Sequence, residues 1–211
     1  MTLGNGGTPV LFNEAVGGTI TEVADYNGTG ETWRIHTFTG YGSKTFTVIQ
    51  DTQPFTVIAW GGGGAGSYHF EAFPQPTGGA GGSFVHSAMM QAGERAIVVG
   101  RGQGAKSEIM YGGWPGTDST IETGYETLRA GRGQGGGGAA SHSIHGSPDP
   151  AGAGNPAEGA GRSMGQTNPL IDPASYGLAA NTARGGAGQT GGDKIADNGI
   201  DGAVIIAYRV G

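Results

Sequence analysis

Arg129–Ala140 reads RAGRGQGGGGAA, and six of the eight residues from Gly131 to Gly138 are glycine. Glycine loses more backbone freedom on folding than any other residue, roughly 0.5–1 kcal/mol relative to alanine in regular structure. Such a tract either stays unfolded or is ordered by something that requires the absence of side chains. Bare extended backbones can lie directly against one another, and only glycine fits at such a crowded axis. A polyglycine helix has about three residues per turn and no internal hydrogen bonds, so its amides and carbonyls must bond sideways to neighbours. One rod alone is unstable, whereas several satisfy one another. The tract reads as one rod of a polyglycine II bundle, with the rest of the chain built to enclose it.

The echoes of the tract support a bundle. Phe55–Trp60 (FTVIAW) runs into Gly61–Gly66, Arg95–Val99 (RAIVV) into Gly100–Gly104, and Thr120–Leu128 into the Gly131 tract, so three times a strand empties into glycines. Gly78–Gly82 leads into Ser83–Met89, further glycines fill Gly152–Gly165 and Gly185–Gly192, and Ile200–Val210 is a closing strand. Upstream, Thr19–Tyr26, Trp33–Phe38, Lys44–Ile49 and Phe55–Trp60 are rich in β-branched and aromatic residues, with turn signals between them. Asn27-Gly28 is a hairpin signal, and Phe46 and Val48 share one strand face. Pro9–Phe12 reads as a short strand and Ala15–Gly18 as a turn. No stretch has helical periodicity. The expected fold is all-β with a polyglycine II helix bundle and little or no α-helix. Residues 1–18 form an N-terminal arm suited to docking on a neighbour. Residues 19–211 form one glycine-rich domain: a small antiparallel β unit at 19–60, rods and loops at 61–199, and the closing strand at 200–210.

Composition narrows the function. The chain has 211 residues, 47 of them glycine and 10 proline, which raises the question of low-complexity disorder. Only 13% of residues are charged, and the apolar runs are strong enough to build a core. The glycines at 133 and 135–138 break the strict triplet that collagen needs. There is no cysteine, so neither a disulfide nor a thiolate metal site is available. A net charge of −6 argues against nucleic acid as a partner. The absence of a leader pattern and of an apolar run near 20 residues points to synthesis in a cytoplasm, without membrane insertion.

The ordered series Gly17–Thr39 (GGTITEVADYNGTGETWRIHTFT), Gly42–Val48 (GSKTFTV), Thr56–Gly66 (TVIAWGGGGAG), Gly78–Val85 (GGAGGSFV), Gly131–Gly138 and Gly199–Val210 (GIDGAVIIAYRV) resembles the glycine-rich domain of bacteriophage tail proteins. The resemblance covers nearly the whole chain beyond the first sixteen residues. It implies a minor tail protein or tail-tip component of the virion, made in the host cytoplasm, whose polyglycine core carries variable loops. Its implied partners are other tail proteins, a host cell-envelope component in adsorption, and further copies of itself, with a trimer favoured. One departure is Trp60, where an aliphatic residue often precedes the glycines; it is placed to cap the bundle. More distantly the chain resembles the glycine-rich extracellular domain of some receptor kinases, which carries the cysteines missing here.

The loops between glycine runs hold the candidate contact residues: Tyr68, His69, Phe70 and Phe73 in Ser67–Thr77, Tyr111 and Trp114 in Met110–Pro115, and Leu170, Ile171 and Tyr176 in Asn168–Tyr176. Aromatics anchor recognition surfaces because they offer large contact area at low entropic cost. The competing reading is that they fold back and roof the core. Gly161–Gly165 (GRSMG) matches a nucleophile elbow by letter, but no histidine follows it. Gly133–Gly138 matches a dinucleotide fingerprint, but no helix follows. His142 and His145, and Asp193, Asp197 and Asp201, lack the context of a metal site. No cofactor, metal or catalytic residue is expected, and the expected function is non-enzymatic. The alternatives are a purely structural plug or collar and, further off, a cell-wall glycan-degrading tail enzyme using Glu122 and Glu126 as paired carboxylates.

Overall fold

In the computed structural model, which describes residues 11–25, 29–66, 68–69, 81–103, 114–133, 173–183, 189–190 and 198–211, the closing apolar run becomes the middle of a sheet. The strands are β1 (Glu14–Val16), β2 (Thr19–Val23), β3 (Trp33–Phe38), β4 (Gly42–Gln50), β5 (Phe55–Trp60), β6 (Tyr68–His69), β7 (Ser83–Ala88), β8 (Gly93–Val99), β9 (Ser119–Glu122), β10 (Thr127–Ala130), β11 (Gln189–Thr190) and β12 (Ala203–Arg209). Two five-stranded antiparallel sheets result, ordered β1-β4-β8-β9-β10 and β2-β3-β12-β5-β7. The fold is all-β, with no α-helix among the described residues; one short 3-10 turn covers Pro173–Tyr176. No helix there is long and apolar enough to cross a membrane.

Strand β12 takes the central place because it is apolar on both faces. Val204, Ile206 and Tyr208 enter the core between the sheets, while Ala203 and Ile205 join Ile58, Trp60 and Ala183 on the outer side. A strand buried on both faces reads as a continuous apolar run. The first sheet answers the inner face with Phe46, Val48, Ile97, Val99, Ile121 and Leu128.

The four strands expected in 19–60 all form, but only β2 and β3 pair in succession. β2, β3 and β5 join one sheet and β4 the other, so the connections at Thr39–Tyr41 and Asp51–Pro54 cross between sheets. β12 inserts between β3 and β5 and pairs with both. The single strand expected over Thr120–Leu128 is a hairpin, β9 and β10, folded at Thr123–Glu126, where Thr123 N–H donates to the Glu126 carbonyl at 2.9 Å. The Asn27-Gly28 turn lies outside the described residues; β2 and β3 pair as a hairpin would.

Of the expected Pro9–Phe12 strand, Leu11 and Phe12 are not in a strand and Pro9 and Val10 lie outside the described residues; a strand near the N-terminus is Glu14–Val16, at the edge of the first sheet. Asn13, 3% exposed, fixes it: its Oδ1 accepts the Thr52 and Gln53 amides at 2.8 and 2.9 Å, and its Nδ2 donates to the Gln53 carbonyl. The described part of the arm is therefore built into its own domain.

A second tie reaches this strand from the core. Ala15 N–H donates to the Tyr208 hydroxyl at 3.0 Å. His36 Nδ1 lies 2.7 Å from the Gly17 carbonyl, which only accepts, so Nδ1 carries the proton and Nε2 accepts from Tyr208 at 3.2 Å. The His36 ring stacks on Tyr208 and meets Phe46 edge-on. Burial holds the His36 pKa below its ordinary 6.5; the Gly17 carbonyl opposes the shift and the charge of Arg34 adds to it. A lowered folded pKa means that the unfolded chain takes up the proton first. The stabilisation is present above about pH 6.5 and is lost as pH falls through the folded value. The thermal midpoint should therefore drop between about pH 7.5 and about pH 5, and His36→Gln should flatten that slope. A wild-type midpoint that holds or rises on acidification contradicts the tie.

The glycine segments continue the strands without joining the sheets. Successive amides of the 61–66 segment point to three different neighbours: Gly61 to the Gly82 carbonyl, Gly62 to Thr117 and Gly63 to Ile200, each at 2.9 Å. Ala65 returns to the segment that Gly62 reaches, donating to the Trp114 carbonyl at 2.9 Å. Gln103 and Gly133 donate in turn to the carbonyls of Gly63 and Gly62. The surrounding segments are bonded to one another: 82 to 131, 116 to 133, 117 to 101, 199 to 103, 202 to 100, 183 to 201 and 81 to 183. These bonds form a closed ring around the 61–66 segment. The backbones touch directly, since a Cβ built on Gly62, Gly81, Gly116 or Gly199 would overlap the carbonyl of Arg101, Gly61, Gly62 or Gly63 respectively. The remainder of the glycine tract, 134–138, lies outside the described residues.

Candidate functional site

The strands deliver the chain into the glycine bundle and take it back. β5 leads into 61–66, and 81–82 returns into β7; β8 leads into 100–103, and 114–118 returns into β9; β10 leads into 131–133, and 198–202 returns into β12. Each pair is one excursion out from the sheets, and the intervals between the paired segments are 67–80, 104–113 and 134–197. Bonds between bare backbones hold the excursions side by side, and within the third of them Tyr176, Leu178 and Ala183 pack back against the second sheet.

The expected contact residues fare differently. Trp114 stands at the outer end of the 114–118 segment with its side chain 52% exposed. Tyr176 is half-buried, its ring 6.0 Å from that of Trp60, and with Leu178 it covers the outer face of the second sheet over Ile58 and Ile205. That is the roofing role, and Trp60 lies under it rather than projecting. Tyr68 and His69 form β6, which pairs in parallel with Gln189 and Thr190 of β11. Phe70, Phe73, Tyr111, Leu170 and Ile171 lie outside the described residues, as do Gly161–Gly165, His142, His145, Asp193 and Asp197. Asp201 Oδ1 accepts the Gly102 amide at 2.8 Å, so this carboxylate is a link between two glycine segments. Among the described residues no three His, Cys, Asp or Glu side chains gather to hold a metal. Glu122, exposed on β9, accepts the Thr127 hydroxyl at 2.7 Å, and Glu126 lies 3.7 Å from His86.

A second set of exposed groups was carried by a repeat in the sequence. The pentapeptide GRGQG occurs at Gly100–Gly104 and again at Gly131–Gly135, each time directly after a strand. The 114–118 segment lies between the two copies. On one side Thr117 N–H donates to the Arg101 carbonyl at 3.0 Å and Arg101 N–H to Thr117 Oγ1 at 2.7 Å; on the other Gly116 N–H donates to the Gly133 carbonyl at 2.9 Å and Arg132 N–H to Asp118 Oδ1 at 2.8 Å. Gly100, Gly116, Gly131 and Gly133 are buried, while Arg101, Thr117 and Arg132 are exposed, forming a row across three adjacent segments. Trp114 is three residues from Thr117, the same spacing that returns Gly62 and Ala65 to a common neighbour. The Arg101 guanidinium lies 5.0 Å over the ring of Tyr41, itself 56% exposed. Asp118 is engaged by Arg129 at 3.3 Å and by the Arg132 amide. Among the described residues neither Arg101 nor Arg132 pairs its guanidinium with a carboxylate.

Comparison of the chain with protein-family models and with curated proteins finds no match.

Proposed function

We propose that the chain is a non-enzymatic structural component of a bacteriophage tail or tail tip that contributes to recognition of the host surface. The observation that carries this reading is the bundle of three excursions held together by bonds between their backbones. Bonds between backbones do not depend on the side chains of the connecting loops, which leaves the sequence of loops such as 70–80 and 104–113 open to a recognition role. The sideways bonding and the return of the amide after three residues support the polyglycine II form for the rods. Residues 1–10 precede the edge strand of the first sheet in the chain and are suited to docking on another tail protein. Copies repeated on a particle, a trimer by preference, multiply weak contacts into useful avidity.

The test is adsorption. Particles assembled with residues 70–76 deleted should keep their tails and lose most of their binding to host cells. Normal adsorption by those particles refutes the recognition role and leaves a plug or collar. Release of sugar from host wall material by the purified protein, abolished by Glu122→Gln, refutes the non-enzymatic reading.

A further inference from the structure

Arg101, Thr117 and Arg132 stand exposed in a row across three adjacent segments. We propose that this flank binds an anionic glycan, with pyranose faces against Trp114 and Tyr41 and a carboxylate or phosphate substituent between Arg101 and Arg132. The inference rests on the recognition role proposed above and names the ligand class for it.

Four features carry the assignment. Arg101 and Arg132 occupy equivalent places in identical pentapeptides on either side of Thr117, and both are exposed on rods whose glycines are largely buried. Neither guanidinium has a carboxylate partner among the described residues, although the chain carries a net charge of −6. Two acidic side chains on the adjoining segments, Asp118 and Asp201, are turned to backbone amides and Arg129. Tyr41 lies beneath Arg101 and holds the guanidinium plane in place, which lowers the entropy lost when it forks onto an anion. Trp114 and Tyr41, both more than half exposed, supply flat amphipathic plates of the kind that line recognition surfaces. Nucleic acid fits less well. Its dense phosphate charge gains affinity by meeting many cations, and here two arginines stand on an otherwise acidic protein. Sparse charge between flat rings matches a sugar chain with occasional anionic groups.

The test is affinity electrophoresis of the full chain through gels containing polygalacturonate, phosphomannan or neutral dextran, with a single-stranded oligonucleotide as competitor. Retardation by polygalacturonate, by phosphomannan or by both, and not by dextran, is expected; the two gels separate carboxylate from phosphate. Arg101→Gln with Arg132→Gln should weaken binding at least tenfold, and Trp114→Ala should weaken it several-fold. The doubly lysine-substituted chain, Arg101→Lys with Arg132→Lys, should recover part of the binding, which guards against loss by misfolding. Equal retardation by dextran, undiminished binding by the glutamine pair, or displacement of glycan by the oligonucleotide at equimolar amounts overturns the proposal. If the double-glutamine particles adsorb normally while the purified wild type binds an anionic gel, the ligand class stands and only its role in adsorption falls. If deletion of residues 70–76 abolishes adsorption while no anionic gel retards the wild type, the tail reading stands and this inference falls.

Discussion

Gly62→Ala is expected to lower the unfolding free energy by about 3 kcal/mol or more, seen as a large fall in the urea midpoint or as failure to fold. Gly62 has no left-handed backbone angle, so alanine is conformationally allowed there and the cost arises from space alone. The added methyl would overlap the Arg101 carbonyl, with the Gly102 amide nitrogen 2.9 Å away. Backbone cannot rotate out of the way as a flexible side chain can. The 61–66 and 100–103 segments would have to separate, and Gly62 uses both of its polar groups, donating to Thr117 and accepting from Gly133. Overpacking typically costs about 1–3 kcal/mol, and each buried hydrogen bond that is broken adds about 1 kcal/mol or more. Gly40→Ala provides the contrast. Gly40 has φ +69° and nothing within 4 Å of where the methyl would sit, so its substitution should cost about 1–2 kcal/mol through backbone strain alone. Equal midpoints for the two variants are incompatible with a bundle held by bare backbone contact.

The same distinction between space and conformation explains what could be read from the sequence. Strand β12 and the Phe46–Val48 face were legible because apolar patterning reports burial directly. The strand-to-glycine junctions were legible because a run such as Gly61–Gly64 has few other uses. The distribution of β2 to β5 between two sheets was not. A turn signal such as Thr39–Tyr41 says that the chain reverses or crosses, not which, and only the long-range partner β12 decides. The hairpin between β9 and β10 was hidden because Thr123–Glu126 lies within a run of strand-favouring residues. Ala183, which completes the ring with φ 62°, carries no glycine to announce it. At the site, Trp114 was legible as an exposed aromatic. Arg101 and Arg132 required notice of the repeated pentapeptide, and Tyr41 required knowledge of which loop lies beside β8.

Ser119→Ala should cost roughly 2–4 kcal/mol, a large effect for the loss of one hydroxyl. Ser119 is wholly buried at the start of β9, where β5 and β8 pass into their glycine segments. Its hydroxyl donates to the Trp60 carbonyl at 2.6 Å and accepts the Gly100 amide at 2.8 Å. Alanine fits the space but leaves a donor and an acceptor buried without this partner, and each such group costs about 1–3 kcal/mol. Ser43→Ala, at an exposed position on β4, should stay within about 0.5 kcal/mol of wild type. Amide hydrogen exchange distinguishes two ways in which the loss is felt. If sheets and bundle form one cooperative unit, protection at Gly61, Gly100 and Ile206 should fall together and by the same amount. If only the bundle loosens, Gly61 and Gly100 lose protection while Ile206 keeps it. The first pattern is expected, because Ser119 joins the strand ends to the rods and because Gly202 N–H, immediately before β12, is bonded to the Gly100 carbonyl. Rods packed through bare backbone have few side chains to fix their register, and Ser119 and Gly202 tie that register to the strand ends.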